Sequence, residues 1–314
     1  MASYKDIQGF NIQNLTSDPV PFAQEKERIG WAGTWASGTS LNTARYFLGG
    51  TGTQTAGLAF GGYNGTANVG ETEEYNGTSW TEVNDLVTTK RAGGSAGIQS
   101  SALYAGGQDP AITSNNQTWD GTNWSTSTGL NTARNSTFGV GATNTAAIIF
   151  GGATPTKVAN TESWNGTAWT EVNDLNTARI RLAGAGVQTL ALAFGGLNPT
   201  PANTGVTEEW NGTSWTEVND LNTVRSEQGG AGIQTSALCI GGLQAPAPLQ
   251  LGNTEHYNGT SWSELNDLAT FRSALSSAGT ATLALAFGGY NGTVAVANTE
   301  EWAAATTNNT LTAS

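Results

Sequence analysis

The feature that most limits what this chain can become is a word of about 45 residues, written repeatedly and cut at both ends. Its clearest copy, Thr207 to Arg225, reads T-E-E-W-N-G-T-S-W-T-E-V-N-D-L-N-T-V-R. Close versions begin at Thr72, Thr161 and Thr254, with a looser one from Gln117. A glycine pair recurs at Gly61-Gly62, Gly106-Gly107, Gly151-Gly152, Gly195-Gly196, Gly241-Gly242 and Gly288-Gly289. An aromatic follows at Tyr75, Trp119, Trp164, Trp210, Tyr257 and Trp302, and a tryptophan comes five residues later at Trp80, Trp124, Trp169, Trp215 and Trp262. Self-similarity at this period specifies a propeller or a solenoid, because one unit cannot bury its apolar faces except against copies of itself.

The two ends decide between them. The last copy stops at Trp302, with Thr307 where its second tryptophan is due. Trp35 stands 45 residues ahead of Trp80 and leads into Leu41-Asn42-Thr43-Ala44-Arg45. Complementary half-repeats serve a closed ring and have no use in an open stack. The expected fold is therefore all-β: a six-bladed β-propeller over residues 31–303, closed by an N-terminal strand that completes the last blade. Residues 1–30 match no repeat and read as an N-terminal arm suited to docking, and residues 304–314 as a C-terminal tail. Six tryptophans (Trp35, Trp80, Trp124, Trp169, Trp215, Trp262) and six arginines (Arg45, Arg91, Arg134, Arg179, Arg225, Arg272) occupy one repeat position each and should form structural rings.

Each repeat reads as four strands. The second is clearest in Leu190-Ala191-Leu192-Ala193-Phe194, where bulky and small residues alternate with the strand period and both faces are apolar. Glycines in the first strand fit crowding at the axis. The Asn-Gly of W-N-G-T-S-W, Asp120-Gly121 in the second repeat, is expected to form a type I′ hairpin turn between the third and fourth strands. The variable stretches after each glycine pair, such as Leu197–Gly205 and Leu243–Gly252, are expected to be loops that carry specificity.

This pattern resembles the kelch repeat: a glycine pair ending the second strand, then an aromatic, then a tryptophan before the fourth. The resemblance covers about residues 31–303 and implies a galactose oxidase-like propeller architecture. The near-identical, charge-poor, Thr/Asn/Gly-rich copies behind a short N-terminal arm are similar in composition to bacteriophage virion-associated kelch-like proteins.

Only 11% of residues are charged and the net charge is −12, which argues against nucleic acid, whose phosphates need clustered Lys and Arg, and against an anionic bilayer. There is no apolar run of membrane-spanning length, so no membrane insertion is expected. Cys239, the only cysteine, stands where sister repeats carry Ala193 and Ala286 and reads as a small buried hydrophobe. A copper site like that of galactose oxidase needs two histidines, and the chain has one, His256, expected on a strand surface. No metal and no cofactor are expected, and Ser-His-Asp chemistry fails on the same count. The N-G-T-S-W turn also resembles the Asp-box of sialidases, but Glu82, Glu171, Glu217, Glu264, Asp85, Asp174, Asp220 and Asp267 recur blade by blade. A glycosidase needs two carboxylates of contrasting character in one place. These are expected instead to pair with the repeated arginines and to satisfy backbone donors.

The positions two residues past each arginine hold six different residues in an otherwise repetitive word: Phe47, Gly93, Ser136, Arg181, Glu227 and Ala274. Kelch-like geometry places them at the mouth of the central channel, so Phe47, Ser136, Arg181 and Glu227 are the candidate binding residues. The resulting expectation is a non-enzymatic virion component, assembled in the host cytoplasm and docked on other virion proteins through residues 1–30. It would present its loops for host attachment, to a surface glycan or protein. A cellular interaction scaffold is the alternative, and a carbohydrate-active hydrolase a further one.

Overall fold

The computed structural model describes residues 33–200, 202–245 and 249–305, so the N-terminal arm expected over 1–30 lies outside the described residues. Six four-stranded antiparallel sheets make the six blades, and no helix occurs among the described residues. From axis to rim, blade 1 is Gly49–Thr53, Ala56–Phe60, Thr72–Tyr75 and Trp80–Val83. Blades 2 to 5 repeat this plan. Blade 6 takes three strands from the C-terminal end, Ser276–Gly279, Leu283–Phe287 and Thr299–Ala304. Its outermost strand is Gly33–Gly38, paired antiparallel to Thr299–Ala304 with Trp35 opposite Trp302 and their ring centroids 5.5 Å apart. The ring is closed by the two halves of one word, and the last strand runs one residue beyond the expected boundary.

Each blade carries the same aromatic step at its hairpin. Tyr75–Trp80, Trp119–Trp124, Trp164–Trp169, Trp210–Trp215 and Tyr257–Trp262 have centroids 5.0–5.6 Å apart, the tilted packing that aromatic quadrupoles favour. The hairpins are not type I′ turns. Only the glycine (Gly77, Gly121, Gly166, Gly212, Gly259) has positive φ, and the loop holds four residues between paired aromatics. Asn76 Oδ1 accepts from the backbone N–H of Thr78 and of Ser79, both at 2.9 Å. Asp120 does the same for Thr122 and Asn123, which is why either residue serves.

Neighbouring blades interlock through the outermost tryptophan. The indole of Trp124 packs on Phe60 of the preceding blade, and its Nε1 donates to Thr72 Oγ1 at 2.9 Å. The same donation joins Trp80 to Thr299, Trp215 to Thr161, Trp262 to Thr207 and Trp35 to Thr254. Blade 3 is the exception. The acceptor position in blade 2 holds Asn116, so Trp169 donates to the Thr128 carbonyl instead. Asn116 is fully buried, with both its amide oxygen and nitrogen unpartnered. Restoring the common residue, Asn116→Thr, should remove two unsatisfied polar atoms and return the indole to a hydroxyl. The expected gain is about 1–3 kcal/mol, read as a higher denaturant midpoint at unchanged m-value.

At the axis the glycines permit strand contact, as expected: a Cβ on Gly230 would collide with the Gly184 carbonyl oxygen of the neighbouring blade. The stretch 243–252 is not a plain loop. The second and third strands of blade 5 extend into it as Ser236–Gln244 and Leu249–Tyr257, with a bulge between Ile240 and Gly242.

Candidate functional site

The arginines end buried and consumed. Arg45, Arg134, Arg179, Arg225 and Arg272 are fully buried, and each pairs with the first glutamate of the third strand: Glu73, Glu162, Glu208, Glu255 and Glu300. These are not the outer-strand carboxylates expected to pair with them. Glu73 and Glu82 are cross-strand partners, and Glu82 is exposed. The recurrent aspartates do meet backbone donors: Asp85, Asp174 and Asp220 accept from the N–H groups of Thr72, Thr161 and Thr207. Each buried glutamate also holds the connection that leads into its own blade. Glu208 accepts from Asn176 N at 2.7 Å, Asn176 Nδ2 at 2.9 Å and Thr177 N at 3.4 Å.

Arg91 is not a member of this ring. Lys90 occupies the position, fully buried, donating to the carbonyls of Tyr104 and Asn115, each at 2.7 Å, and to Asn115 Oδ1 at 3.2 Å. The buried glutamate of sister blades is Gln117 here. Burial holds the Lys90 ammonium well below its ordinary range. The ammonium's three donors find three uncharged acceptors here, so the cation and its carboxylate have been exchanged together.

With the frame corrected, the residues two places beyond the buried cations are Phe47, Ala92, Ser136, Arg181, Glu227 and Ala274. Gly93 falls outside the set, and its N–H instead donates to Tyr104 Oη at 3.2 Å. All six have φ between 52° and 59°, a left-handed conformation uncommon outside glycine. The reason is a closed circle of backbone hydrogen bonds. Phe47 N donates to Ala274 O, Ala92 N to Phe47 O, Ser136 N to Ala92 O, Arg181 N to Ser136 O, Glu227 N to Arg181 O and Ala274 N to Glu227 O, at 2.7–2.9 Å. This hexagon lines one mouth of a central cavity of about 210 Å³. The face that carries it, with the interblade connections and the loops after the glycine pairs, is here the front face.

Three of the four candidate binding residues meet over that mouth. Arg181 Nη1 lies 2.5 Å from Glu227 Oε1, and its guanidinium sits 5.6 Å from the ring centroid of Phe47. Ser273 Oγ donates to Glu227 Oε2 at 2.9 Å. Ser136 joins the hexagon through its backbone. The side chains read as lining residues therefore bond to one another across the opening.

A ring of positions one residue earlier was missed. Each pairs by an isolated bridge with the residue after the glycine pair of its blade: Tyr46 with Tyr63, Arg91 with Gln108, Asn135 with Ala153, Ile180 with Leu197, Ser226 with Leu243 and Ser273 with Tyr290. One side of the front face is thus aromatic and the other aliphatic. Tyr46 touches Phe47, Tyr63 and Tyr290, with centroids 5.2–5.5 Å apart, and the Arg91 guanidinium lies 4.4 Å over the Tyr63 ring. The available signal was the word G-G-Y-N-G-T, written at both Gly61–Thr66 and Gly288–Thr293 in loops that otherwise vary.

The remaining titratable groups belong to the scaffold. Cys239 is fully buried, as expected, and burial pushes its thiol up to about 12. His256 is not on a surface. It is buried beside Ser236 Oγ, 3.1 Å from Nε2, and burial lowers its pKa to about 4. The folded state then binds fewer protons than the unfolded chain between pH 4 and 6.5, so stability rises with pH there and is lost as pH falls through that window. Lowering pH from 6.5 to 5 should cost roughly 1–2 kcal/mol. His256→Thr, the residue of blade 2 at Thr118, should flatten that part of a pH–stability profile. Among the described residues no group of three or more His, Cys, Asp or Glu is placed to hold a metal ion.

No protein-family model matches the chain, and no curated protein matches it.

Proposed function

We propose that this is a non-enzymatic binding ring of kelch type, carried on a bacteriophage particle, whose front face makes the contact. The observation that supports this reading is the division of labour among the side chains. Repeated chemistry is spent inside the scaffold: five Arg–Glu pairs are buried, the tryptophans clip neighbouring blades together, and the aspartates tie the end of each outer strand to its own blade. Residues that differ from blade to blade gather around one opening, on rigid backbone. A catalytic centre needs a single asymmetric set of titrating groups. The asymmetric set here is Phe47, Tyr46, Tyr63, Tyr290, Arg91 and an Arg181–Glu227 pair already joined to each other, the composition of a recognition surface. A ring whose outer sheet edges are only three to six residues long also suits dense display, since long unpaired edges invite aggregation.

The particle reading rests on composition and on the arm expected over 1–30. Mass spectrometry of gradient-purified particles from a producing culture should find this polypeptide in stoichiometric proportion to the capsid. Its absence from intact particles would overturn that reading and favour a cellular interaction scaffold.

A further inference from the structure

We propose that the cleft between blades 1 and 2 on the front face, walled by Tyr63 and Arg91, binds a saccharide that carries a carboxylate. This rests on the reading of the front face as a binding surface but not on the particle.

The cleft is lined by Tyr63, Thr66, Asn68, Arg91, Gln108 and Asp109, among others. It joins an aromatic shelf of Tyr46 and Tyr290, so ring faces and edges lie beside hydroxyl, amide and carboxylate groups. Sugars present this combination in reverse, with apolar C–H faces for aromatic rings and hydroxyls for mixed donors and acceptors. Its width is set before any ligand arrives. Asn64 Oδ1 accepts from the N–H groups of Thr66 and Ala67 at 2.9 Å, which fixes the blade 1 loop. Asn68 Nδ2 donates to the Gln108 carbonyl at 2.9 Å, which ties that loop to the short hairpin Gln108–Asp109/Ala111–Ile112 that follows the glycine pair of blade 2. Preorganisation of this kind lowers the ordering cost of binding.

Arg91 sets the charge of the ligand. Of the nine cationic side chains in the described residues, six are buried at the repeat position. Arg181 is paired with Glu227, and Lys157 donates to the Asn198 carbonyl. Arg91 is partly exposed, makes no ion pair among the described residues, and is stacked on Tyr63. With its carbon 4.4 Å over the Tyr63 ring centroid, the guanidinium keeps N–H donors that no carboxylate among the described residues occupies, the donors a bidentate carboxylate takes. A cationic ligand would be repelled there. A phosphate dianion would meet both Asp109 in the cleft and a net charge of −12, so a monoanion fits best. The arrangement exists once: the places of Tyr63 and Arg91 are held in blades 3, 4 and 5 by Ala153, Leu197 and Leu243 and by Asn135, Ile180 and Ser226.

The test is titration of the full chain with 3′-sialyllactose and methyl α-galacturonoside, both monoanions, with lactose and methyl α-galactoside as neutral counterparts, followed by NMR or calorimetry. At least one acidic probe should saturate and bind better than its neutral counterpart. Tyr63→Ala should weaken it about tenfold, a loss typical of one aromatic contact. Arg91→Gln should erase the acidic preference, and Leu197→Ala on the far side of the mouth should change nothing. The proposal fails if neither acidic probe saturates by about 10 mM. It fails equally if acidic and neutral probes bind alike, or if Arg91→Gln keeps the preference. A chain that binds acidic saccharide but is missing from purified particles would keep this site and lose only the particle.

Discussion

Deleting residues 33–38 should abolish folding of the whole ring, whereas deleting 1–28 should leave its melting temperature nearly unchanged. The strand Gly33–Gly38 supplies the rim of blade 6, and without it Thr299–Ala304 becomes an open edge. Trp35 leaves with it, and so do its packing on Trp302 and its bond from Nε1 to Thr254 Oγ1 at 3.0 Å in blade 5. A fully buried tryptophan is worth about 3–5 kcal/mol; Trp35 is partly buried, and its loss adds to that of a whole strand against a total stability of roughly 5–15 kcal/mol for a domain. Blade 6 also receives the indole of Trp80 on Phe287 and Thr299, so its collapse frees blade 1 on the other side. The expected readouts are loss of the cooperative thermal transition and aggregation on expression. Residues 1–28 match no repeat, and the six blades close on strands within 33–304, so the ring's own pairing survives their removal.

The second large effect concerns the buried ion pairs. Glu162→Gln should destabilise the ring by about 3–5 kcal/mol, because it leaves the Arg134 guanidinium charged in a fully buried site. Adding Arg134→Lys should recover a substantial part of that loss, although neither substitution restores a salt bridge. Blade 2 already works this way: Lys90 stands opposite Gln117 and takes the Asn115 side chain as acceptor, and blade 3 has Asn160 at the corresponding place. A lysine ammonium has three donors, which the Tyr104 and Asn115 carbonyls and the Asn115 side chain satisfy in blade 2, whereas an arginine carries five in a fixed fork. Chemical denaturation of the wild type, both single variants and the double variant gives the coupling directly. If the double variant is no more stable than Glu162→Gln alone, the fit of a lysine to uncharged acceptors is not what lets blade 2 dispense with its carboxylate.

Most of the architecture was legible because the repeat states it six times, and the ends state closure. Trp35 and Trp302 are opposite each other for the reason their words suggest: each is half of one aromatic step. What could not be read is where a third dimension intervenes. Glu73 and Glu82 are cross-strand neighbours with the same period, and only the register shows which one faces Arg45. Lys90 could have been found from its distance to Leu86, which equals that from Leu41 to Arg45, but the eye follows the arginine. The position requires a long buried cation, and lysine meets that requirement. Phe47, Arg181 and Glu227 belong to different blades and touch only because the ring is narrow at the hexagon. Tyr46 and Tyr290 are far apart in sequence and meet only because the ring closes, so their sector was invisible to any local pattern.

The direct test of closure is a cross-link between the two ends. Thr34 and Ala303 are register partners and both exposed, so cysteines at these positions lie within disulfide reach, while the buried Cys239 stays out of the reaction. Mild oxidation of Thr34→Cys/Ala303→Cys should give an intramolecular bond in the monomer, found as one linked peptide after digestion. A control pairing Thr34→Cys with Thr170→Cys, in the blade across the ring, should give none. An end-to-end pair that links only between molecules, or no better than the control, would contradict a ring sealed by its own two ends.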